Sequence, residues 1–136
     1  MTSSSSPADM FERLIEGISA GRWPELADLY ATDAVVEMPM HPQRVRIEGR
    51  AAMRQHFTAA SAGPVELRAH HVIVHATTDP EVVIAEFEYD SLNRTTGRTF
   101  TAANVRVLRV RDGQIVSTRD YHDHRAIAAS HEPVGH

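Results

Sequence analysis

Past Val65 the chain stops repeating its apolar residues every three to four positions and begins to alternate them, and it keeps alternating almost to its end. Four long strands are predicted: Val65 to Ala76, Val82 to Asp90, Thr99 to Val110 and Gln114 to Asp123. Turn signals part them at Thr78-Asp79-Pro80, Asn93 to Gly97 and Asp112-Gly113. Upstream the period is helical. Ser6-Pro7 starts a helix with Asp9 in its first turn, and Phe11, Leu14, Ile15 and Ile18 form its buried stripe as far as Gly21. Pro24 opens a second helix, Glu25 to Tyr30. Ala34 to Met38 is a brief strand stopped by Pro39, and His41 to Arg46 reads as a loop at the surface or a pocket mouth. Gly49 precedes a third helix, Arg50 to Ala60, burying Met53 and Phe57. Three helices covering a curved antiparallel sheet make one α+β domain.

The last hairpin carries the chemistry. Arg119-Asp120-Tyr121-His122-Asp123-His124 packs charged and protonatable side chains into a strand that enters a core, where unpaired burial costs several kcal/mol. Such a strand suggests a polar site inside a pocket. Two registers are open. A two-residue Asp112-Gly113 turn sets Arg106 against Arg119, a like-charge pair; a three-residue loop sets Arg106 against Thr118 and Asn104 against Asp120. The second is the expectation. One face of the hairpin then carries Val110, Leu108 and Val116 at its closed end and Arg106, Asn104, Asp120 and His122 further along. The first would instead turn Tyr121 and Asp123 inward.

Composition narrows the function classes. The 136 residues suit a single domain, and a net charge of -4 argues against a nucleic-acid partner. Without cysteine there are no disulfides, thiolate nucleophiles or thiolate metal sites, and without lysine there is no Schiff-base chemistry. No apolar run is long enough for a membrane span, and the serine-rich start has no signal-like apolar region, so no membrane partner and a cytoplasmic location are expected.

The segments Leu29-Tyr30-Ala31-Thr32-Asp33-Ala34-Val35-Val36-Glu37-Met38-Pro39, Ile47-Glu48-Gly49-Arg50 and Val110-Arg111-Asp112-Gly113-Gln114-Ile115-Val116, in that order and leading into Arg119-Asp120-Tyr121, resemble the nuclear transport factor two-like proteins, and among them the SnoaL-like polyketide cyclase branch. The resemblance runs from about Asp9 to Ala129. It implies a cone-shaped sheet wrapped around a pocket, a domain over 9–129 between loose tails at 1–8 and 130–136, and a homodimer through the outer sheet face bearing Val105, Val107 and Tyr121. The ketosteroid isomerases of this group use a phenol, a carboxylate and a protonated acid at places held here by Leu14, Met38 and Arg106, so that reading fails. SnoaL-like cyclases use an acidic base on the last strand and a neighbouring histidine; the matching residues are Asp120 and Arg106. Phenazine-biosynthesis members also place an acid at Asp120.

An Asp-Arg pair suits proton abstraction beside a carbonyl, which needs a base and a cation where the enolate oxygen gathers charge. Asp120 is the expected base, Arg106 the oxyanion or carboxylate holder and His122 a relay or second acid. Asn104 would orient Asp120, Tyr30 would close the pocket, and Met38, Met53, Phe57 and Phe100 would shape it around a small apolar ligand. Glu86 and Glu88 alternate against Phe87 and Tyr89; an inward Glu86 could pair with Arg106 and free Asp120. The expected activity is cofactor-free acid-base catalysis, namely isomerisation, aldol cyclisation or dehydration. The alternatives are a non-catalytic ligand binder and an epoxide hydrolase using Asp120 with His122 or Glu86. His122 and His124 have metal-ligand spacing but no third partner, and His70, His71 and His75 have no evident pairing, so no metal is expected.

Overall fold

The computed structural model describes residues 6–132. Helix α1 (Pro7–Ser19) begins at a reciprocal cap, in which Ser6 Oγ accepts from the Asp9 amide at 3.1 Å while Asp9 accepts from the Ser6 amide at 3.3 Å. Met10, Phe11 and Leu14 are its fully buried stripe. The expected second helix is cut short. After α2 (Trp23–Leu26) a 3-10 turn, Ala27–Leu29, hands the chain to β1 (Tyr30–Met38), so Tyr30 opens a strand instead of closing a helix. Part of the expected surface loop is the short β2 (Val45–Glu48). At Gly49 a φ of 94°, which L side chains rarely adopt, starts α3 (Arg50–Ala62) back across the sheet. There Arg50 Nε holds the Tyr30 carbonyl at 2.8 Å.

The strands β3 (Val65–Ala76), β4 (Val82–Asn93), β5 (Thr99–Arg111) and β6 (Gln114–His122) join β1 and β2 in one six-stranded, open curved sheet of order β2-β1-β6-β5-β4-β3. All neighbours are antiparallel except β1, which runs parallel to β6 with Val36 beside Thr118. The fold is mixed α+β, as expected, and adds a fourth helix, α4 (His124–Ala129), capped by the Asp123 carboxylate on the Ala126 amide. The N-terminal tail expected over 1–8 includes the start of α1, and its residues 1–5 lie outside the described part. At the other end, Ser130 is buried and its carbonyl accepts from Thr96 Oγ1 at 2.7 Å, whereas residues 133–136 lie outside the described part.

The β5–β6 hairpin follows neither expected register. Arg111 pairs with Gln114 across a two-residue turn in which Asp112 and Gly113 have φ of 54° and 74°, the geometry that suits a tight right-twisted hairpin. Two residues later the ladder skips Val116: Val110 faces Ile115, but Arg109 faces Ser117. This bulge restores the parity that the short turn would have inverted. Arg106 therefore lies opposite Asp120, and Asn104 opposite His122. At the closed end Ile115, fully buried, takes the inward place expected for Val116.

Candidate active site

Between the inner sheet face and helices α1 and α3 lies a hollow of about 160 Å³. Its walls are mostly apolar, from Leu14, Met38, Met53 and Phe57 to Ile127 of α4. Arg106 and Asp120 form its floor. Arg106 Nε donates to Asp120 Oδ1 at 2.8 Å, with the two residues 6% and 4% exposed, and the guanidinium lies over the Phe87 ring. Arg106 Nη1 is buried and has no aligned hydrogen-bond acceptor, although the Tyr89 phenol also interacts with the guanidinium. A strong donor left unanswered inside a protein is costly unless something else fills the place.

His122 lines the same hollow, and its tautomer follows from its neighbour. Asn104 Nδ2 donates to the Ala102 carbonyl at 3.0 Å, which turns Asn104 Oδ1 towards His122 Nδ1 at 2.7 Å. An amide oxygen only accepts, so Nδ1 carries the proton and Nε2 of the neutral ring keeps its lone pair. Burial, reinforced by Arg106 and opposed by Asp120, pushes the His122 pKa down to about 4. The ring is thus neutral at physiological pH. Asn104, expected to orient Asp120, orients His122 instead.

Two phenols complete the polar set. Burial raises the pKa of Tyr30 well above its ordinary value and also raises that of Tyr89, with the Arg106 charge opposing in both cases; each remains an O–H donor. Tyr30 packs on Phe57 with ring centroids 5.8 Å apart. For Arg106 burial works against the charge, but Asp120 and then the two phenols outweigh it, raising its pKa. His56, exposed on its outer side, stands on the rim with its pKa lowered by the packed wall. Beyond the hollow, His124 lies 5.6 Å from His122 and 4.9 Å from His41, ring centre to ring centre.

Seven of the residues singled out in the sequence meet at this hollow: Asp120, Arg106, His122, Tyr30, Met38, Met53 and Phe57. Asn104 is buried behind His122. Phe100 is elsewhere, in an open trough along α1 and β3 that shares Ile18, Trp23, Ala60 and Leu67 with the hollow as a partition. Glu86 points outward, its carboxylate 2.6 Å from His75, because β4 turns Phe87 and Tyr89 inward. It neither frees Asp120 nor serves as the acid of an epoxide hydrolase. His56 and Tyr89 were missed. For His56 the signal was its place three residues after Met53 on α3; for Tyr89 it was strand alternation with Phe87.

The architecture has close counterparts. A PhzA/B-like protein of Pseudomonas aeruginosa, itself uncharacterized, is 32% identical over 111 residues, which cover 80% of this chain and 76% of that protein. A candidate isomerase from Bacillus subtilis superposes with a TM-score of 0.85 at 25% identity, covering 91% of both chains. A candidate polyketide cyclase from Xanthomonas campestris superposes at 0.79 and 21% identity over 91% of this chain and 95% of that one, a likeness of fold. The SnoaL-like domain profile matches residues 11–118, and with that match on the nuclear transport factor two-like fold the chain belongs to the SnoaL-like domain family.

Proposed function

We propose that the protein moves a proton next to the carbonyl of a compact, largely apolar metabolite, with isomerisation, aldol cyclisation or dehydration as the outcome. The observation that carries this reading is the buried Arg106–Asp120 pair with Arg106 Nη1 left without an aligned acceptor at the floor of the hollow. The cost of creating separated charges selects the base. If His122 took the proton, an imidazolium and an enolate would both appear in a low-dielectric space, and burial already disfavours charge on that ring. If Asp120 takes it, the negative charge passes from carboxylate to substrate oxygen while the same guanidinium faces both. No additional pair of opposite charges is created in the hollow. Arg106 then stabilises the oxygen where charge develops, and Asp120 contributes the ~10²–10⁴-fold expected of a positioned base. His122 Nε2 accepts a hydrogen bond from the substrate, and Tyr30 supplies a neutral donor.

Size narrows the substrate class. A cavity of ~150 Å³ admits a molecule such as benzene, so a space of about 160 Å³ suits a single ring or its open-chain equivalent. A ligand holder without turnover is the second reading, favoured by the fact that Arg106 and Asp120 already neutralise each other. We also read the outer sheet face as the contact for a second copy of the chain, since Ile73 and Val105 are 54% and 36% exposed there.

Exchange of α-protons for deuterium in cyclopentanone, cyclohexanone and their enones, followed by proton NMR in D2O, separates the two readings. Catalysis predicts faster exchange with the wild-type protein and a loss of about 10²-fold or more in Asp120→Asn, with the variant still folded by circular dichroism. Equal exchange with both proteins would assign the pair to ligand holding or structure.

A further inference from the structure

On the opposite face of the sheet from the hollow, on the outer side of β3 and β4, the strand register gathers three side chains with metal-ligand atoms. His70 faces Glu88, but Ile73 faces Glu86, so one extra residue is accommodated between them. The bulge places His71 at a φ of 52°, a left-handed conformation that a side chain bearing a Cβ disfavours. Its effect is specific. Consecutive residues of a regular strand point to opposite faces, yet here both imidazoles reach one carboxylate: Glu88 Oε1 lies 3.1 Å from His70 Nε2 and 3.0 Å from His71 Nδ1. The three donor atoms all fall within 4.8 Å of one another. Behind His70, Asp90 Oδ2 is 3.0 Å from the other ring nitrogen, Nδ1, which is buried and has no aligned hydrogen bond.

We propose that His70, His71 and Glu88 bind a divalent transition-metal ion of the zinc type, with Asp90 orienting His70 from behind. Two imidazoles and a carboxylate form a borderline donor set that selects zinc, cobalt, nickel or copper over calcium or magnesium. Tetrahedral zinc with bonds of about 2.0–2.2 Å separates neighbouring donors by roughly 3.3 Å, so the two His–Glu spacings of 3.1 and 3.0 Å need to open only slightly, while the two imidazole donors already lie within 4.8 Å of each other. A carboxylate behind a ligating imidazole fixes the ring and its tautomer, the place Asp90 occupies. Backbone strain at His71 is retained because the regular alternative would turn one imidazole away. The ion would tie the edge strand β3 to β4, independently of proton transfer at Asp120.

Isothermal titration of zinc into the full-length protein, purified without a histidine tag, tests the assignment. One equivalent should bind, raising the melting temperature; His71→Ala and Glu88→Gln should each weaken it by about tenfold or more, whereas His124→Ala should leave it unchanged. His71 is open to solvent and its removal leaves the core intact, with a side chain 75% exposed. Should Glu88→Gln fail to fold, zinc-induced shifts of the His70 and His71 ring nitrogens in the wild-type spectrum give the same answer. Absence of binding, an unaltered equivalent in His71→Ala, or ring shifts confined to His122, His124 and His41 would overturn the proposal.

Discussion

At the scale of single residues, the site works by withholding charge from one group and sharing it between two others. His122 is kept neutral by burial, and its tautomer is set by an amide whose own orientation is fixed by the Ala102 carbonyl. Because the folded ring resists the proton down to about pH 4 while an ordinary histidine takes it near 6.5, the unfolded chain binds more protons between those values. Stability should therefore be undiminished by this group above about pH 6.5 and decline on acidification towards 4, by about 2 kcal/mol once partial exposure is allowed for. Urea denaturation across that range should show this slope in the wild type and a flatter one in His122→Gln; equal slopes would mean the ring is not held neutral. The hairpin residues Asp120, His122 and Arg106 were legible as a set because charges in an otherwise greasy strand demand a reason. Asn104's actual partner was not, since an amide's direction depends on a backbone carbonyl that no side-chain pattern reveals.

Elements decide which residues face the hollow, and here one extra residue does so. With an Asp112-Gly113 turn alone, β6 would present Arg119, Tyr121 and Asp123 to the inside; accommodating Val116 as a bulge presents Thr118, Asp120 and His122. The expected three-residue loop led to the same inward set from Thr118 onward by a different route, but turned Val116 inward in place of Ile115. An Arg106–Arg119 contact is indeed avoided, but through a bulge, which leaves no local composition to read. Deleting Val116 removes only the extra residue, so the ladder becomes regular with Asp120 still inward; loss of its partly buried side chain should cost about 1–2 kcal/mol. Deleting Arg119 instead reverses Asp120 and His122 and should abolish cooperative folding. Thermal melts by circular dichroism compare the two, and equal damage from both deletions would contradict the register.

For the molecule as a whole, alternation and helix period were enough to place helices against a sheet, and the ordered segments around Tyr30, Gly49 and Gly113 carried the family likeness. The closing helix α4 had a local signal in the Asp123 cap that went unread, whereas the parallel pairing of β1 with β6 was hidden because it depends on contacts distant in sequence. So was the size of the cavity, set by how far Met53, Phe57 and Ile127 project into it. The outer face belongs to this scale too: Val105→Glu should convert a dimer to a monomer in sedimentation velocity, and a wild-type protein that is already monomeric would remove that reading. Within the hollow, the proposed chemistry requires one guanidinium to serve both the base and the substrate oxygen. Small phenols mimic an enolate oxygen on a single ring, and the Arg106 Nη resonances report on it directly. Titration with phenols of increasing acidity should shift the Arg106 Nη signals progressively in the wild type; binding that leaves those signals unmoved would contradict the account.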